Sequence, residues 1–194
     1  RALPQEGLIV DVRGNGGGLI YAAEQLLQAL SPDEVEPEPA QFINTPMTLE
    51  ICERNSPSRL WSDFTLEPWI DSIRQAVQTG ETYSQAFPIT PRSSLAGVEQ
   101  AYFGPVVLVT DALCYSATDM FAAGFQDAEI GPVLGTSGNT GAGGANVWTH
   151  TLLRAFTSDP RADPPRPSPF EPLPLGAEMR VAARRTLRVG KHEG

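Results

Sequence analysis

Two nearly unbroken apolar runs, LIVDV at residues 8–12 and PVVLV at 105–109, constrain this chain more than anything else in it. A strand that alternates apolar and polar residues covers one face of a core. A strand apolar at almost every position is expected to be buried on both faces, the habit of parallel sheets flanked by helices. After the first run, GNGGG at 14–18 breaks the strand, and Leu19, Ala23, Leu26 and Leu30, with Ile20 and Leu27 beside them, repeat at helical spacing. After the second, Met120, Phe121 and Phe125 form the inward face of a helix from about Ser116 to Asp127, and GPVLGT at 131–136 supplies a third strand. Strands alternating with helices predict an α/β fold.

The remaining segments are read around that core as one domain, residues 1–194. The stretch at about 31–100, which includes the acidic run DEVEPEPA, reads as an insertion. Within it Pro68 starts a helix with Trp69, Ile70, Ile73 and Val77 on one side, and Gly80 stops it. The loop SGNTGAGGA at 137–145 is so rich in glycine that its backbone is expected to approach something closely. ANVWTHTLLRAF is a strand candidate, prolines at 158–175 imply a loop or extended arm, and AEMRVAARRTLRV suits a half-exposed strand, with a helix as competitor.

Composition removes several function classes. A net charge of −9 with scattered basic residues disfavours nucleic acid or an anionic membrane as partner. No apolar run approaches the roughly twenty residues of a membrane span. Cys52 and Cys114 are too few for a disulfide framework and lack metal-ligand spacing, so no metal is expected. The opening RALPQEG has neither an initiating methionine nor a leader pattern, and the chain is expected to be a piece of a longer one. It therefore gives no compartment, and an extracytoplasmic one remains open. The partner expected is a peptide or protein substrate.

The chemistry concentrates at two places. Ser116 stands at the mouth of the second helix, where unsatisfied N–H groups and the helix dipole favour a developing negative charge. The triple glycine at 16–18 offers further bare N–H groups, and together the two suit acyl transfer. A serine in that position is also an ordinary helix cap.

Three segments in order, LIVDVRGNGGG, VTDALCYSATDMFAAGFQD and VLGTSGNTGAGG, resemble the C-terminal processing (tail-specific) peptidases of family S41, together with their tricorn and chlamydial-protease-like relatives. The resemblance implies a ClpP/crotonase-like α/β core and a serine endopeptidase or processing peptidase that works through an acyl-enzyme without a cofactor. It places the nucleophile on Ser116 and the oxyanion donors on the N–H groups of Ala117 and Gly17. Asn15, Asp127, Gly141 and Gly143 become structural residues near the site. Asp127 at a helix C-terminus opposes the dipole and calls for a specific partner.

The base is where the chain departs from the common pattern. Processing peptidases of the Ser-Lys type carry a lysine in the glycine loop; here Ala142 stands in its place, and Lys191 in the tail is the sole lysine of the chain. The loop is nearer that of the Ser-His-Glu branch, whose histidine precedes the strand-glycine unit. The resemblance then implies a base supplied from outside these residues by the remaining segments of the parent chain, with an oligomer also compatible. His150 is the candidate base within the chain. Two further readings remain: a non-catalytic peptide-binding relative of the same fold, and an acyl-CoA-handling crotonase relative.

Overall fold

A computed structural model of the chain describes residues 4–56, 65–141 and 147–192. In chain order the elements are β1 (Leu8–Asp11), α1 (Ile20–Leu30), β2 (Pro39–Phe42), α2 (Pro46–Arg54), α3 (Glu67–Thr79), β3 (Phe87–Pro88), β4 (Val106–Thr110), α4 (Ala117–Asp127), β5 (Val133–Gly135), β6 (Val147–Thr149), α5 (His150–Thr157), β7 (Arg180–Ala182) and β8 (Arg184–Thr186). The strands form sheets in the orders β1-β4-β5, β3-β2-β8 and β6-β7. The mixture of helices and sheet is α/β, as the apolar periodicity predicts. The chain divides into two compact units: Arg1–Ala40 with Pro88–Ala145 and Thr186–Gly194, and Gln41–Phe87 with Asn146–Arg185.

The first unit is built on the parallel sheet β1-β4-β5, in which Leu8 pairs with Val106 and Leu108 with Val133. Its core joins the inward residues of β4, Val106 and Leu108, to Leu27 and Leu30 of α1 and to Phe121 and Phe125 of α4. Leu108 and Phe125 are completely buried, and truncating such a phenylalanine to alanine costs about 3–5 kcal/mol.

The expectation that β1 is buried on both faces fails. Ile9 is 72% exposed and Leu134 58%, and these residues share a face with Val107 and Val109 through the register Ile9–Val107 and Leu134–Val109. The sheet grows in one direction, β1 to β4 to β5, and right-handed connections in one direction put their helices on one side. Helices α1 and α4 therefore cover one face only.

The second unit has an aromatic core. Trp69 meets Phe42 edge-on at 5.4 Å and Phe87 at 5.9 Å, and Trp148 meets Phe156 at 5.4 Å. Here α3 begins beside Pro68 and ends on Gly80 with φ 81°, where the sequence expects it. The reading of ANVWTHTLLRAF as a strand holds only for Val147–Thr149. The Thr149 side chain then accepts the Leu152 N–H at 3.0 Å and caps α5, whose buried His150, Leu153 and Phe156 recur at helical spacing. The segment at 177–189 makes two short strands, β7 and β8, rather than a helix.

Candidate active site

The site of interest lies in the first unit, at the carboxyl ends of the parallel strands, where open α/β sheets commonly receive ligands. β1 ends at Asp11, and Val12 to Gly18 turn back across the start of α4. Asp111, just past β4, fastens this turn: its two carboxylate oxygens accept the Gly14 N–H at 3.1 and 3.0 Å, and one also accepts the Leu113 N–H at 2.9 Å. These donors hold the Asp111 carboxyl below its ordinary range, the Gly14 bond contributing most. Asp11 is exposed and gripped by Arg13 through Nε at 2.9 Å and Nη2 at 2.6 Å. That fork lowers its pKa to about 2.

Ser116 is exposed and sits at the N-cap of α4 with φ 55° and ψ −125°, a conformation that a serine adopts only under constraint. Its side chain makes no capping hydrogen bond, so the hydroxyl does not perform the ordinary task of a serine there. The glycine turn presses directly on it. A Cβ built on Gly17, whose φ is 100°, would stand 2.6 Å from the Tyr115 carbonyl oxygen, 2.7 Å from Ser116 Cβ and 3.0 Å from the Ala117 nitrogen. The Tyr115 N–H donates to the Asn15 carbonyl at 3.1 Å, which ties the two segments together. Ala117 is buried at the first position of α4, and its N–H has no acceptor among the described residues. The Gly17 N–H donates to Asn15 Oδ1 at 2.9 Å.

Beside Gly17 and Ala117 a groove of about 240 Å³ runs between α1 and α4, lined by Leu19, Ala22, Ala23, Leu26, Thr118 and Phe121 among others, with no charged side chain in its wall. Leu19 and Leu26 of this wall are exposed. Among the described residues no group of histidine, cysteine and carboxylate side chains is placed to hold a metal ion, and no helix is long and apolar enough to cross a membrane.

The expected residues are therefore divided. Ser116, Ala117, Gly17 and Asn15 converge, and Gly141 joins them by donating its N–H to the Cys114 carbonyl at 2.9 Å. Gly143 and Ala142 lie outside the described residues. Asp127, at the other end of α4, accepts from Arg188 Nε at 2.8 Å and Nη2 at 2.6 Å. His150 belongs to the second unit, where it is buried and its Nε2 meets the Glu171 carbonyl oxygen at 2.6 Å. Lys191 is an exposed partner of Glu129.

Sequence reading missed four groups here. Asp111 was legible as an aspartate ending a strand just before a turn, a frequent capping position. Asp119, in the first turn of α4, accepts a hydrogen bond from the Thr140 hydroxyl, and burial pushes its carboxyl above the ordinary range. Glu24 on α1 and Glu38 are buried, and burial raises them to about 7 and about 8; the Thr90 hydroxyl opposes the first shift and the Arg188 charge the second. Nothing in the local pattern separates these buried glutamates from surface ones.

The profile of peptidase family S41 matches residues 4–155. The chain belongs to peptidase family S41. Among curated proteins none matches it. Among solved structures this S41 chain is similar in fold to mature CPAF, in a structure solved with lactacystin, at 18% identity and TM-score 0.57, and to a putative peptidase from Parabacteroides merdae at 18% identity and TM-score 0.53. Both alignments take in 97% of this chain, which spans only 37% of the first relative and 41% of the second.

Proposed function

We propose that this S41 chain is the core of a serine peptidase with a ClpP/crotonase-like arrangement, acting on peptide or protein substrates and nearer the Ser-His-Glu branch than the Ser-Lys branch. The observation that carries the reading is the constrained Ser116 at the start of α4, its hydroxyl free of any capping bond and Gly17 packed against it. Ser116 Oγ attacks the substrate carbonyl carbon while a base takes the hydroxyl proton. The oxyanion is received by the Ala117 N–H and the Gly17 N–H. A charged oxygen is a stronger acceptor than the Asn15 amide oxygen and takes that second donor over. The C–N bond then breaks as the leaving amine collects the proton, and water releases the acyl group from Ser116.

The base comes from the parent protein beyond these 194 residues. Lys191 is paired and exposed, and His150 is buried against a carbonyl in the second unit. No cofactor enters this scheme. Reaction of the complete protein with a fluorophosphonate probe tests it. Labelling at Ser116 that disappears in Ser116→Ala supports the peptidase. No labelling supports a peptide-binding relative, and thioester turnover indifferent to Ser116→Ala supports an acyl-CoA-handling one.

A further inference from the structure

Thr140 and Gly141, in the described part of the loop that follows β5, are fastened to the segment around Ser116 on both sides of that residue. Thr140 gives its hydroxyl hydrogen to the Asp119 carboxylate, three residues after Ser116. The Gly141 N–H donates to the Cys114 carbonyl at 2.9 Å, two residues before it. Between these points Gly141 lies flat on the ring of Tyr115: a Cβ at Gly141 would fall 2.5 Å from that ring, so no larger residue fits there without a shift. Asp119 is well placed for the helix dipole, but its side chain is directed to the loop.

A positive φ on a serine persists only where its surroundings over-determine it. The bonds that α4 makes on its own account, Thr118 N–H to the Tyr115 carbonyl and Met120 N–H to the Ser116 carbonyl, are those of an ordinary helix start and do not select that conformation. Gly17 and the Tyr115–Asn15 bond constrain it from the turn, and the contacts of Thr140 and Gly141 add to this by fixing Cys114, Tyr115 and Asp119. We propose that Asp119 and Thr140 form a clamp that holds Gly141 against Tyr115 and thereby keeps Ser116 in its positive-φ, reactive geometry, making Asp119 a positioning residue for acyl transfer. This rests on the reading of Ser116 as nucleophile. Asp119 acts through the loop and exchanges no proton with substrate.

The test uses the complete protein and the rate of fluorophosphonate labelling at Ser116, measured well below the melting temperature. Asp119→Ala and Thr140→Val are each expected to slow labelling at least ~10-fold, since small misplacements of a reacting atom are costly. The double variant is expected to be no slower than the slower single one, because both remove one interaction. Thr140→Ser, which keeps the hydroxyl, is expected to label at close to the wild-type rate. Labelling at the wild-type rate in Asp119→Ala or Thr140→Val, or losses that multiply in the double variant, overturns the clamp. So does a Thr140→Ser protein as slow as Thr140→Val. Should Asp119→Ala fail to fold, the Thr140→Val and Thr140→Ser pair decides alone. Wild-type protein that never labels at Ser116 removes the reading of Ser116 itself, a result distinct from the others.

Discussion

Gly17 and Ser116 are packed so closely that a methyl group added to the glycine would stand 2.7 Å from the serine Cβ. Gly17→Ala must therefore push the turn and the start of α4 apart, with φ 100° adding a backbone penalty. The expected outcome is a loss of Ser116 labelling of about 100-fold, the scale of removing one oxyanion donor. Thermal melting and labelling measured together check it; a variant labelled as fast as wild type shows that the contact is dispensable.

Ser116 carries the same logic in reverse. Replacing it with glycine removes the cost of φ 55°, and we expect Ser116→Gly to melt higher than Ser116→Ala by an amount equivalent to about 1 kcal/mol. Both variants are expected to be unreactive toward the probe. Equal melting temperatures would show that the conformation is not strained.

The groove between α1 and α4 adjoins the amides of Gly17 and Ala117, so under the proposed function the side chain next to an attacked carbonyl is expected to enter it. A wall of Leu, Ala, Thr and Phe favours an apolar side chain there. Filling the space with Ala22→Leu is expected to lower kcat/KM for peptides with a large apolar residue about 10-fold while sparing those with alanine, as one or two methylenes of pocket volume are worth ~1–3 kcal/mol. Peptide-library cleavage profiles of wild type and variant give the comparison.

Arg188 holds Asp127, whose side chain is only 3% exposed, and its charge also reaches buried Glu38. Arg188→Ala leaves a buried carboxylate without its cation, a change expected to cost about 3–5 kcal/mol. Urea denaturation measures it. Asp127→Asn together with Arg188→Ala should recover part of the loss.

Glu24 and Glu38 have folded-state pKa values raised from 4.5 to about 7 and about 8. A raised carboxyl binds its proton more tightly when folded. Its stabilising effect is present below the unfolded value and is lost as pH climbs through the folded one. Stability is thus expected to fall as pH rises from about 4.5 to about 8, because the folded state holds these protons more tightly than the unfolded chain does. Glu38→Gln should flatten that slope and stabilise the protein at pH 8. Melting curves at pH 5, 6.5 and 8 decide; an unchanged slope in Glu38→Gln counts against a proton on Glu38.

The parts of the fold legible in the sequence are those where the hydrophobic period is long or the punctuation strong: β1 and β4, α1, α4, and α3 between Pro68 and Gly80. The open face of the β1-β4-β5 sheet was not legible, because an apolar run reports the chemistry of a strand and not what covers it. The start of α5 was missed although Thr149, an N-cap residue three positions before Leu152, announces it. At the candidate site, Ser116 and Gly17, which the sequence motifs single out, are packed against each other. Residues defined by contacts across the chain were not legible, as with Asp119 meeting Thr140 and Arg188 meeting Asp127.

Asp111 receives Gly14 across a separation of 97 residues, and that bond ties the turn after β1 to the end of β4. The turn and the end of β4 belong to one compact unit, and Gln41–Phe87 with Asn146–Arg185 make up the other. Exchanging those two segments together for a different appendage is expected to preserve the Gly14–Asp111 bond, which would make the second unit a place to graft a new binding module.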